Sequence, residues 1–349
     1  MISCIDITKA GGSICQSFVS PEFHTSPPFV VNKEYIPPNI VQAMDKGWCT
    51  RIHQKRHVNV YHIKNVFVTE EGLVLTSKGD VLQQSITQHS NSDLERALYN
   101  ITNKSPIHIH GKTLLLRKRG DTNYGHWNVE VLPKLWLIDG VIEFQNLFLP
   151  RGGAEMNRVY RDSISYSTKN EYNKIYACKE DVYKIDDLIL IDGMTKHGTY
   201  MSPLAFSRTD DIVKKVPGSG LKKVFISREG CLRNINEEEA LLKIINGMGF
   251  VKINPKNLSY IEQVRYLKDA NIVVGVLGAG LTNIMFCKKD TKVISICPAA
   301  MPDTFYYLIS QIRGYKYVEI RERNVNGDFS RNSIMSWGDE IVNEISSNI

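Results

Sequence analysis

Apolar and polar residues alternate from Val58 to Ser85, VNVYHIKNVFVTEEGLVLTSKGDVLQQS, with interruptions at Gly72 and at Gly79-Asp80. A period of two puts successive side chains on opposite faces, so short antiparallel strands are expected here. The stretch NSDLERALYN, residues 91–100, is expected to be a helix capped by Asn91 or Ser92. TLLLRK from Thr113, NLFLP from Asn146 and CKEDVYKIDDLILIDG over 178–193 contain compact apolar runs that read as buried strands. The first forty residues are rich in Pro, Ser and Gly. Because proline removes a donor and restricts its neighbour, an irregular arm with little helix is expected there.

From Lys222 onward strands and helices alternate. KKVFIS, FVKIN, NIVVGV and TKVISIC are strand-like. NEEEALLKIINGMGF reads as a helix with Asn236 as cap and Glu239 at the reciprocal capping position, burying Leu241, Leu242 and Ile245. Ser259 and Glu262 form a second capping-box pattern before QVRYLKDA, and GAGLTNIMF reads as a short helix. Repeated β-α-β with both faces covered is the pattern of a Rossmann-like parallel sheet. SWGDEIVNEISSNI at the end reads as one more helix.

With 349 residues the chain is long enough for two hydrophobic cores. Its hydrophobic fraction of 42% and charged fraction of 23% suit a folded globular protein. The net charge of +6 favours anionic partners only mildly. Basic residues do not interleave with aromatics and no zinc-finger or helix-turn-helix signature occurs, so nucleic acid is not an expected partner. No secretory signal or membrane span is legible, and the seven scattered cysteines suit a reducing compartment. A cytoplasmic location is therefore expected.

Three segments carry candidate chemistry. In GDTNYGHWNVEVLPKLWLID, residues 120–139, His126, Glu130 and Lys134 recur every four residues beside an apolar stripe of Trp127, Val131, Leu135 and Ile138. Pro133 would leave the Val129 carbonyl unpaired, so a kink or break is expected near it. The segment reads either as an acid-base face or as a Glu130–Lys134 surface pair with a satisfied histidine. In VVGVLGAGLTN the glycines Gly275, Gly278 and Gly280 sit between a strand and a helix, where backbone amides can approach a diphosphate. Their spacing is not the dinucleotide fingerprint, and no acidic residue ends the following strand, which disfavours a dehydrogenase. In ISREGCLRNINEEE, Arg228 and Arg233 follow a parallel strand and suit phosphate oxygens, unless they pair with Glu229, Glu237 or Glu238. His108 and His110 in PIHIHG lack an evident third ligand, so no metal site is expected.

NYGHWNVEVLPKLWLID, together with the arginine-led segment from Phe225 and the glycine turn, resembles glycosyltransferase family 61 over roughly residues 110–300. The resemblance is to its bacterial capsule and lipopolysaccharide branch. It implies an α/β chain with two Rossmann-like domains facing a cleft (GT-B type), and an inverting, metal-independent transfer from a nucleotide sugar, expected to be UDP-linked. The acceptor would be a saccharide or lipid-linked saccharide, with peripheral contact to the inner membrane face through basic segments near Arg51 and Arg117. Asn123, Tyr124, Gly125 and His126 match the first motif, and Glu130 stands where relatives usually carry aspartate. Arg228, Arg233, Asn236 and Glu237 match the second, and Gln263 matches a helix glutamine. Gly278, Ala279, Gly280, Leu281, Thr282 and Asn283 cover the glycine turn, preceded by Leu277 where many relatives have histidine.

On that resemblance His126 or Glu130 is the expected base, narrowly His126, with Asp121 a third candidate. Asn123, Tyr124, Lys134 and Gln263 are expected to support the acceptor or the structure. Arg228, Arg233 and the turn would hold the leaving diphosphate. The expected division is an irregular arm over 1–50, an acceptor-side α/β domain over 51–206, a nucleotide-sugar domain over 207–325, and a helix over 326–349 packing across the seam. Leu277 leaves open a catalytically inactive glycan-binding or scaffold protein, and a protein O-glycosyltransferase is a further alternative.

Overall fold

The computed structural model describes residues 2–326 and 334–347. It is an α/β fold with several sheets, and the chain divides into two compact units. Met1–Pro21, Lys55–His197 and Ser202–Arg208 make up the first; Glu22–Gln54, Gly198–Met201 and Thr209–Ile349 make up the second.

The first unit is built on a nine-stranded sheet. Its centre is the antiparallel pair Arg56–Thr69 and Val182–Asp192. Ser13–Ser20 also runs antiparallel to Arg56–Thr69, whereas Ile107–Leu115 pairs parallel with Val182–Asp192 and is followed by the parallel strands Asn146–Leu149 and Asn173–Tyr176. The alternating pattern buries Val58, Val60, Ile63, Val66 and Val68. It forms one long strand and two short ones, Val74–Leu75 and Val81–Leu82. This sheet is mixed, unlike the parallel Rossmann sheet expected of both domains. Strands joined through helices, such as Ala154–Ser167, run parallel, while those joined by tight turns must run antiparallel.

The second unit carries a six-stranded sheet that is parallel throughout, ordered Val251–Ile253, Lys223–Ile226, Ile272–Val276, Lys292–Pro298, Lys316–Glu322 and Phe29–Val31. The first two of its strands in the main run of the chain are reversed in spatial order. Strand order therefore changes direction between Lys223–Ile226 and Ile272–Val276. At such a point the connections leave on opposite faces and open a crevice beyond the carboxyl ends of the strands. The core beneath it includes Phe225, Leu241, Ile245, Val274, Ile294 and Ile320.

Several local expectations change. Residues 1–50 are not an irregular arm: they supply Ser13–Ser20 to the first unit's sheet, and Phe29–Val31 and the helix Pro38–Cys49 to the second unit. Pro38 occupies the start of that helix, where a missing N–H costs nothing. The helix Asn91–Asn103 is capped by Ser90 through a capping box with Asp93, one residue before the nearer of the expected caps, Asn91 and Ser92. Glu237, in a left-handed conformation at φ 48°, occupies the cap position of Glu238–Gly247 and makes no side-chain cap. The Ser259–Glu262 box forms as read from the sequence. The C-terminal helix Asp339–Ser346 buries Ile341 and Ile345 in the second unit's core, while residues 327–333, 348 and 349 of the 326–349 segment lie outside the described residues.

Candidate active site

Residues 117–139 follow the carboxyl end of the strand Ile107–Leu115. Asn123 opens the helical segment: its side chain accepts from Gly125 N at 2.8 Å and His126 N at 3.4 Å. Tyr124 lies in the first turn, and its carbonyl accepts from Asn128 Nδ2 at 2.8 Å. Pro133 does not break the element. Trp127–Val131 forms a π-helical turn in which Leu132 N donates to Trp127 O, and Leu132–Ile138 continues as α-helix. The wider turn absorbs the donor that proline lacks and relieves its clash with the preceding turn. The apolar side is pinned by Trp127 Nε1 donating to Ser163 at 2.9 Å and Trp136 Nε1 donating to Ser167 at 2.8 Å.

Glu130 is buried, with 3% of its side chain exposed, and its Oε2 receives both Lys118 Nζ and His126 Nδ1. The surface-pair reading is therefore incorrect: the partner of Glu130 is Lys118, twelve residues upstream, and not Lys134. Burial by itself would raise the Glu130 carboxyl, but the His126 hydrogen bond and the Lys118 charge together hold it at about 2. A proton on His126 Nδ1 donated to this carboxylate leaves the ring's lone pair on Nε2. Gly120, at φ +80°, lies against this ring, and a Cβ there would fall 3.2 Å from His126 Cδ2. The His197 ring is 5.9 Å from that of His126 between centroids, and burial, with the charges of His126 and Lys118, holds it below the usual histidine range.

A cavity of about 330 Å³ adjoins this cluster, lined among others by Gln88, Lys118, Glu130, Lys134, Asp192 and His197. It lies beyond the carboxyl ends of Ile107–Leu115 and Val182–Asp192, which are parallel neighbours. Asp121 has a different setting. Its carboxylate receives Arg117 Nε and, at 3.2 Å, Lys118 N, with both Arg117 and Asp121 buried. That arrangement braces the loop carrying Lys118.

In the second unit, Arg228 and Arg233 follow Lys223–Ile226 at the point where strand order reverses. Arg228 Nε donates to Arg233 O at 2.9 Å, and Arg233 Nη1 donates to Leu277 O at 3.0 Å. The Arg228 guanidinium lies so close over Gly278 that any Cβ there would collide with it. The nearby acids Glu229, Glu238 and Glu239 instead bond Lys252 at 3.0, 3.0 and 2.9 Å. Burial, and then the neighbouring Arg228 charge, hold Arg233 below its usual range. Two adjacent guanidinium groups on a glycine turn form a positive spot suited to a diphosphate.

The rest of the turn is largely enclosed. Ala279–Phe286 is a 3-10 helix in which Leu281, Thr282 and Asn283 are buried, while Ala279 and Gly280 are half-buried. Asn283 Nδ2 donates to Gln263 Oε1 at 2.6 Å and to Gly280 O at 2.9 Å, so Gln263 braces the turn from the helix Tyr260–Leu267. Leu277 is 1% exposed, and its carbonyl is tied by Arg233.

The family model described as Glycosyltransferase 61 matches residues 124–294. A glycosyltransferase family 61 domain is present. It takes in His126, Glu130, Lys134, both arginines, Gln263 and the glycine turn, and begins after Asp121 and Asn123. The chain is also similar to the β-1,2-xylosyltransferase RCN11 of Oryza sativa subsp. japonica, at 29% identity over 39% of this chain and 27% of that protein. A β-1,2-xylosyltransferase of Arabidopsis thaliana is 25% identical over 36% of this chain and 26% of its own length. The matches thus span about a quarter of these plant relatives, and they do not single out the bacterial branch of family 61.

Three residues of the first-unit cluster escaped sequence reasoning. Lys118 belongs to the basic segment near Arg117 from which contact with the inner membrane face is expected. Arg117 and Lys118 are in fact 7% and 6% exposed and engaged by carboxylates, so neither of these two side chains offers its charge to a headgroup, whereas Arg119 beside them is half exposed. Their position right after a buried strand was the available signal. Asp192 stands at the end of the strand-like run over 178–193 with nothing local to mark it, and His197 had no local pattern. Among the described residues no helix is long and apolar enough to cross a membrane. His110 Nδ1 lies 2.8 Å from Asp186 at the surface, and no group of three metal-ligating residues occurs among the described residues.

Proposed function

We propose that this chain is an inverting glycosyltransferase that moves a sugar from a nucleotide-activated donor, UDP-linked, to a saccharide or lipid-linked saccharide acceptor in surface polysaccharide synthesis. The observation that carries the reading is the arginine pair on the glycine turn at the strand reversal, inside the family 61 domain. An acceptor hydroxyl attacks the anomeric carbon, the bond to the diphosphate oxygen breaks, and the electron pair leaves with the nucleotide diphosphate. Arg228 and Arg233 stabilise the charge that develops there, so no divalent ion is required.

His126 takes the acceptor proton on Nε2, and Glu130 holds the ring and stabilises the imidazolium that forms. This assignment is supported by the double engagement of Glu130 and its pKa of about 2, which make it a weak base. Release of nucleotide diphosphate from a panel of sugar nucleotides, UDP-xylose included, with saccharide acceptors is the test. H126A should lower turnover by roughly 10²–10⁴-fold, as expected for loss of a general base. If H126A turns over normally while E130Q is inactive, Glu130 is the base; if no donor binds and none is consumed, the transferase reading fails.

A further inference from the structure

The cavity of the first unit holds a charge that the proposed chemistry does not use. Lys134 lines it on the helix Leu132–Ile138, and among the described residues no hydrogen bond or ion pair reaches its ammonium. The other charges around it have settled partners or open water. Lys118 is bonded to Glu130, Asp121 to Arg117, and Asp192 is exposed and accepts from its neighbour Gly193 N at 2.7 Å. Lys196 is exposed, and His197 is held toward its neutral form. A half-buried ammonium without a partner is costly, because burial removes water that nothing replaces. Burial, and then the charge of Lys118, push Lys134 down to about 8 against the pull of the Asp192, Glu130 and Asp121 carboxylates.

We propose that Lys134 binds an anionic substituent of the acceptor, a carboxylate or phosphate on a sugar, and so selects acidic acceptor glycans. The inference rests on the transferase reading for the word acceptor, but the binding it describes needs neither donor nor turnover. Two features fit it. The cavity is large enough for a sugar ring, and its polar lining of Gln84, Gln88, Thr87 and His197 suits hydroxyl groups. Glu130 lines the same cavity, so a sugar held by Lys134 would lie beside the His126–Glu130 pair.

The test titrates the full chain with methyl β-glucuronide, glucose 6-phosphate and the neutral methyl β-glucoside, reading binding by NMR or calorimetry. The expected result is tighter binding of an acidic sugar than of the glucoside, at least tenfold weakened in K134M and retained in K134R. The preference should fade as pH rises through about 8, where Lys134 loses its proton. K134M should keep its melting temperature, since the lost charge has no partner to strand. Equal binding of acidic and neutral sugars, or a preference unchanged in K134M, overturns the proposal. A preference for glucose 6-phosphate alone identifies phosphate as the group, and one for the glucuronide alone identifies carboxylate. A lower melting temperature in K134M with unaltered preference assigns Lys134 a structural role instead. Donor binding, measured separately with UDP, reports on Arg228 and is independent of each outcome.

Discussion

Glu130 concentrates the chemistry of the first unit in one side chain. Its carboxyl lies at about 2 against 4.5 for the free group, so folding favours the ionised form. The stability that this supplies is complete above about 4.5 and falls away as pH drops toward 2, worth at most roughly 3 kcal/mol. E130Q should therefore be less stable than the parent at neutral pH, with the gap closing on acidification through that window, as denaturant titrations at several pH values would show. Gly278 is a second residue-scale test. G278A leaves the backbone angles allowed but drives a methyl into the Arg228 guanidinium. The expected outcome is a rise of at least tenfold in donor KM with a largely unchanged melting temperature, measured by diphosphate release and thermal melts.

At the scale of elements, Pro133 decides how one helix presents its polar face. The Trp127–Val131 π-turn keeps His126 and Glu130 in contact while Leu132–Ile138 carries Lys134 toward the same cavity. P133A restores an N–H that can donate to Val129 O, and an ordinary α-helical turn becomes available. Turnover is predicted to fall at least tenfold while the melting temperature holds or rises. An unaffected rate would show that the turn is incidental to the site. The helix itself was legible from its apolar stripe, whereas its continuity was not: proline's local preference argued for a break, and packing of Trp127 and Trp136 on Ala154–Ser167 overrode it. The same override placed Pro38–Cys49 as a helix in a segment whose proline content argued against one.

For the whole molecule, the proposed function takes the positive charge needed at a leaving diphosphate from Arg228 and Arg233, and on that proposal turnover is predicted to be insensitive to EDTA. Loss of activity on chelation, restored by a divalent metal, would overturn that assignment. R228K should weaken UDP binding markedly, because a point charge cannot reproduce the guanidinium fork, while leaving sugar binding in the first unit's cavity unaltered.

Local pattern was sufficient for four of the six strands of the second unit's parallel sheet, because those strands and the helices between them carry their own apolar period and the Ser259 cap its own partner three residues on; Lys316–Glu322 and Phe29–Val31 were not legible in this way. The candidate groups His126, Arg228 and Gly278 were likewise picked out locally, since each lies in a short contiguous motif. Only tertiary structure decided their partners. Lys118 reaches Glu130 from just beyond the strand Ile107–Leu115, Lys252 takes Glu229 and Glu238, two of the acids that sequence had offered to the arginines, and Lys134 is left without a hydrogen-bonded or ion-paired partner among the described residues. Periodicity reports which face of an element is buried, but the pairing of charges depends on which elements pack together. That is set by the sheet's topology and by the cost of burying any charge alone.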